Sequence, residues 1–172
     1  MEASATPGRT GEGGVGMKVK RAMAGVLTGA VLLTTGLVAL AGSDDDARRV
    51  PVLRLARLTG EKEVPGPGDP NGRAVAAVIV HPAEGRLCFT IGVARIDLPA
   101  IGAHVHAGRA TEAGPVVVAL TPPDATGTSA GCVDGVDRAL LRAIRHHPRA
   151  YYVNVHTTAF PDGAVRGQLH RP

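Results

Sequence analysis

The chain has 172 residues, with 19 Lys and Arg against 15 Asp and Glu, a formal charge of +4. That length suits one domain plus a targeting segment, and the charges are scattered, with no basic stripe interleaved with aromatics, which excludes nucleic acid as a partner class. With two Phe, two Tyr and no Trp, the core has to be built from Val, Leu, Ile and Ala.

Residues 1–16 are Gly-rich and polar and read as a disordered or mis-assigned extension ahead of Met17. Their Gly11 to Gly16 run matches G-x-G-x-x-G but has neither the strand before it nor the helix after it that a dinucleotide fingerprint needs. From Met17 the pattern changes. Lys18, Lys20 and Arg21 precede an uncharged apolar stretch from Ala22 to Ala41, ending in the small-x-small triplet Ala39-Leu40-Ala41. A basic start, an apolar middle and a small-residue cleavage site make 17–41 a signal peptide, so the expected location is secreted or cell-surface. An uncleaved signal is the only membrane attachment this reading allows. Cleavage removes four basic and two acidic residues, leaving 15 against 13, a formal +2. Residues 42–51, with the acidic run Asp44-Asp45-Asp46, read as a linker, and 52–170 as the folded domain.

Within that domain Val52 to Leu58 reads as a strand. Glu63 to Gly72 is dense in Pro and Gly and reads as turns. Arg73 to Val80 and Arg86 to Val93 are strands joined by the Pro82-Ala83-Glu84-Gly85 hairpin turn. A strand bearing His104 follows Leu98-Pro99-Ala100, then a short buried strand Val116 to Leu120, then a weaker one from Ser129 to Val133. Asp137 to Arg145 is the one clear helix, with Asp134 or Asp137 to cap it, Leu140, Leu141 and Ile144 as its buried stripe and Pro148 to stop it. His146 and His147 fall in its last turn, where a cation is favourable. Two further strands flank a Phe160 to Gly163 turn. Short strands at near-regular spacing with one helix predict an all-β fold, an antiparallel β-sandwich of immunoglobulin-like or superoxide-dismutase-like type with one short helix.

Side chains alternate faces along a strand. Ile101, Ala103, Val105 and Ala107 therefore share one face and His104 and His106 the other. In the later strand Tyr151, Val153 and Val155 form the apolar face, and Tyr152, Asn154 and His156 the polar one. If both strands lie in one sheet, His104, His106 and His156 project on one side as a candidate metal site, since zinc and copper favour imidazole. The competing reading is architectural, with the histidines hydrogen-bonded to carbonyls and joined by a polar network of Asn154, Arg166 and Gln168. The two cysteines, Cys88 and Cys132, read as a disulfide in an exported protein, worth roughly 4 kcal/mol for a loop of about 45 residues. Leu87, Phe89 and Ile91 claim the core face of their strand, so Cys88 points away from it. No catalytic residue is assigned: the three serines lie outside any nucleophile elbow, and Glu61 and Glu63 read as exposed acids.

Several of these segments together resemble a chordin-type (CHRD) domain: Leu58 to Pro65, Ala103 to Gly108, Gly114 to Val118, Tyr151 to Thr157 and Gly163 to Leu169. The resemblance spans Val52 to Leu169 and implies an extracellular β-sandwich-like domain without a known reaction. In animals the domain occurs in a secreted antagonist of growth factors, a role that does not transfer. His104-Val105-His106 is also similar to the copper-binding strand of Cu/Zn superoxide dismutases, but no bridging or fourth copper histidine can be assigned and the zinc-ligand loop is missing. The expected function is a noncatalytic extracellular or cell-envelope binding module, its partner an unidentified extracellular protein or envelope component. The alternative is a zinc- or copper-binding protein. The long loop 63–72 and the loop 109–114 are the surfaces a binding module would use.

Overall fold

The structure, a computed structural model, describes residues 50–172. The expected N-terminal extension, signal peptide and most of the linker lie outside the described residues. Eight strands form: β1 Val52–Thr59, β2 Arg73–His81, β3 Arg86–Ala94, β4 Gly102–Ala107, β5 Val116–Leu120, β6 Thr128–Val133, β7 Tyr151–His156 and β8 Val165–Gln168. The helix α1 spans Arg138–His146. All strand pairs are antiparallel, in the order β5-β4-β7-β8-β1-β2-β3-β6.

The sheet bends into two four-stranded halves. β1 and β8 share a single register pair, Thr59 with Arg166, supplemented by a bridge between Leu55 and His170. At the far ends, the Ser129 hydroxyl on β6 donates to the Thr121 carbonyl just past β5, at 2.7 Å. The result is the expected all-β sandwich, nearly closed at its edges. Between the halves lies one core, where Val78, Val80, Leu87, Val105, Val153 and Val155 are fully buried. Each such aliphatic side chain contributes about 1.5–3 kcal/mol relative to exposure. β2 and β3 owe their tight turn to Gly85, whose φ of 67° is open to glycine and strained for other residues.

At the start of α1 the Asp137 carboxylate accepts from the backbone N–H groups of Ala139 and Leu140, so Asp137 rather than Asp134 is the cap. Leu141 and Ile144 are buried beneath it. Two expectations are corrected. Ile101 precedes β4 instead of joining its apolar face and is 56% exposed. Glu61 and Glu63 are not both exposed acids. A 3-10 turn over Gly60–Lys62 separates them, leaving Glu61 exposed and Glu63 only 8% exposed.

Candidate metal centre and polar network

β4 and β7 run side by side, with Gly102 opposite His156, His104 opposite Asn154 and His106 opposite Tyr152. The alternation that sends Ala103, Val105, Val153 and Val155 into the core sends His104, His106 and His156 to the other face. Their ligand-capable nitrogens lie within 4.8 Å of one another, and His104 Nδ1 stands 3.1 Å from His156 Nε2. A side chain at position 102 would crowd this approach. A Cβ on Gly102 would meet His104 Cε1 at 3.3 Å and His156 Cδ2 at 3.4 Å. Two nitrogens on one zinc ion sit about 3–3.5 Å apart, so the His104–His156 pair already has that spacing.

Backbone carbonyls set the tautomers. His106 Nδ1 lies 2.8 Å from the Gly114 oxygen and His156 Nδ1 lies 2.8 Å from the Pro161 oxygen. A carbonyl can only accept, so each Nδ1 carries a proton and each Nε2 is left as the ring's acceptor atom, that of His156 accepting from His104 Nδ1–H at 3.1 Å. His106 Nε2 is buried and has no hydrogen-bond partner among the described residues. Burial, then the neighbouring imidazoles His156 and His106, hold His104 below the usual imidazole range. Burial also lowers His106, against the opposing hydrogen bond to Gly114. Neutral rings with Nδ1–H tied to carbonyls are the arrangement that orients histidines toward a metal.

Beside the histidines lies a second arrangement. The Tyr152 ring stacks on His106, with centroids 4.7 Å apart and planes 9° apart, and the Arg166 guanidinium carbon sits 3.4 Å from the Tyr152 centroid. Arg166 is 1% exposed, and its Nη2 donates to the Arg109 carbonyl at 2.7 Å and the Glu112 carbonyl at 2.9 Å. Gln168 Nε2 donates to the Gly108 and Arg149 carbonyls, both at 2.9 Å. The loop after β4 is thus tied onto β8 by two side chains, and it covers the face that carries the histidines. Asn154 is 3% exposed and stands between His104 and Arg166 in register.

Glu63 completes this neighbourhood and was missed in the sequence, where it reads as an exposed acid. Burial raises its carboxyl to about 7, opposed by the Arg166 charge. It shares a cavity of about 250 Å³ with Arg166 and Gln168, and one carboxyl oxygen of Glu63 and Nη1 of Arg166 are buried without a partner among the described residues. The Glu63 carboxylate occupies the space a Cβ would take at Gly163, whose φ of 143° also favours glycine. The available signal was its place in the Leu58 to Pro65 segment, the same segment that carries the family resemblance.

Cys88 and Cys132 lie opposite each other on β3 and β6 and are disulfide-bonded across 44 residues. The Ser129 hydroxyl is spent on the Thr121 carbonyl.

A family model described as the CHRD domain matches residues 55–169. No curated protein and no solved structure matches the chain.

Proposed function

Since the chain belongs to the CHRD domain family, we propose that it is an exported, noncatalytic CHRD-domain module that holds one zinc or copper ion through His104, His106 and His156. The observation that carries the metal reading is the pair of locked tautomers. His106 and His156 each spend Nδ1–H on a carbonyl, which leaves Nε2 of each as the ligand atom, in a cluster whose ligand atoms lie within 4.8 Å of one another. Low proton affinity at His104 and His106 supports it, because a ligand must be unprotonated to bind metal. An ion held there would cross-link β4 and β7, and the residues around it would orient its ligands. The Gly114 and Pro161 carbonyls fix ring rotation, and Tyr152 packs flat on His106.

Export is supported by the basic, apolar and small-residue pattern of 17–41 and by the disulfide, which persists in oxidising compartments.

The second reading, histidines as architecture, draws on the same carbonyl contacts, which tie β4 to the 109–115 loop and β7 to the 157–164 turn. Metal analysis of untagged protein purified in oxidising conditions separates the two. The expected result is near-stoichiometric zinc or copper, lost in His106→Ala and His156→Ala while both variants still melt cooperatively. A parent protein that takes up neither ion from micromolar solution makes the histidines architecture.

A further inference from the structure

The basic residues look scattered along the sequence, but the fold collects several of them. Where the end of α1, the loop after β4 and the segment after β8 meet, a cavity of about 620 Å³ opens to the surface. Arg109, Arg149, Arg171, His146, His147 and His170 line it, with Pro148 and Ala150 between them and no acidic side chain. We propose that this groove binds a soluble oligophosphate, a short chain of linked phosphate groups.

Three observations point there. The ion pairs among the described residues involve His81, Glu84, Arg86 and Asp134, and none involves Arg109, Arg149 or Arg171. Glu112, three residues from Arg109, gives its carboxylate to the Arg109 backbone N–H at 3.0 Å rather than to the guanidinium. Next to the groove the cations crowd one another. Arg54, 5% exposed, is lowered by burial first and then by the charges of Arg171 and Arg145. Among the described residues no acidic side chain lines the groove with Arg109, Arg149 and Arg171, and cations gathered in this way gain from an anion placed among them.

The shape and the residue types narrow the anion. Guanidinium groups grip planar pairs of oxygens on phosphate or carboxylate, and here they approach from three separate segments of chain. A tetrahedral phosphate offers oxygens in all of those directions, whereas a carboxylate offers two in one plane. The volume exceeds that of one phosphate. A neighbouring cavity of about 400 Å³ shares Arg149 and His170 with the groove and continues it toward Gln168, which favours an elongated ligand.

Tripolyphosphate titrated into the full chain by calorimetry in 50 mM salt tests this. The expected result is saturable one-to-one binding that weakens in 300 mM salt. It should fall at least about tenfold in the double variant Arg149→Glu/Arg171→Glu, and recover only in part in Arg149→Lys/Arg171→Lys, which restores the charge but not the paired donors. Both side chains are exposed, so circular dichroism should show each double variant folded like the parent. Absence of saturable binding, or equal binding by the parent and the Glu variant, overturns the proposal. So does a loss of binding in His106→Ala, which assigns the anion to the histidine centre. Binding to phosphatidylglycerol vesicles without binding to tripolyphosphate also overturns it, in favour of a membrane surface.

Discussion

The outward faces of the two sheet halves invert the usual relation between hydropathy and burial. On β2 the outward residues are apolar and wet: Val75 is 61% exposed and Ile79 38%, with Leu53 of β1 alongside at 38%. On β7 the outward residues are polar and dry: Tyr152 and Asn154 are each 3% exposed, and Arg166 on neighbouring β8 is 1% exposed. The inner faces of both halves feed the same aliphatic core, so the difference arises from what lies over the outer faces. In the β4-β7-β8 half, loops descend on the sheet and are tied down by Arg166 and Gln168. In the β1-β2-β3-β6 half the outer face carries a covalent staple instead. Polar groups are buried at a cost, and a fold retains them where their hydrogen bonds hold something in place. Candidate chemistry therefore sits under the loops of one half, while the other half is scaffold.

The largest expected effect tests the scaffold. Replacing Cys88 and Cys132 by Ser should lower unfolding free energy by about 4 kcal/mol in denaturant titration, because the closed loop no longer restricts the unfolded chain. Metal uptake by the folded variant should be unchanged. Next comes the polar half. Arg166→Met should cost about 3 kcal/mol, since the carbonyls of Arg109 and Glu112 lose their donor and Tyr152 loses its stacked cation. If that variant is as stable as the parent, the network does not hold the loop.

Glu63 gives a smaller effect with a definite pH signature. In the native state its carboxyl keeps a proton up to about pH 7, whereas in the unfolded chain it releases it near the ordinary 4.5. Between those values the native state binds more protons, so its stability falls as pH rises and the deficit is complete above about pH 7. Glu63→Gln should remove that slope and raise stability at pH 8 on the order of 2 kcal/mol. Thermal melts of the parent and variant from pH 4 to 8 that stay parallel would remove Glu63 from the network. The smallest effect belongs to the wet apolar face, where Val75→Thr should change stability by no more than about 0.5 kcal/mol. A loss of several kcal/mol there would mean that this face is covered, and the contrast between the halves would fail.

The alternation in β4 and β7 was legible because period two fixes which residues share a face whatever the strands later pair with. The positions of Val105 and Val153 in the core and of His104 and His156 opposite them followed from that rule. Cys88 pointing away from the core followed in the same way from Leu87, Phe89 and Ile91. β2 shows the limit of the rule. Its run of Ala, Val and Ile reads as a strand but has no alternation, so nothing local says that Val75 faces water and Val78 does not. The helix was legible with its stripe, yet two aspartates could have capped it, and only the backbone path selects Asp137.

What the sequence by itself determined is the set of local periodicities and turns, hence the strands, the helix, the pairing of two cysteines and the polar face of each histidine strand. Tertiary structure alone decided what covers that face and which distant charges meet. Glu63 is buried because Gly163, far along the chain, leaves room for its carboxylate. Arg109, Arg149 and Arg171 form one groove because β4, the end of α1 and the segment after β8 converge. Burial and electrostatic potential are sums over neighbours in space. A chain read residue by residue specifies neighbours only within a strand or a helical turn.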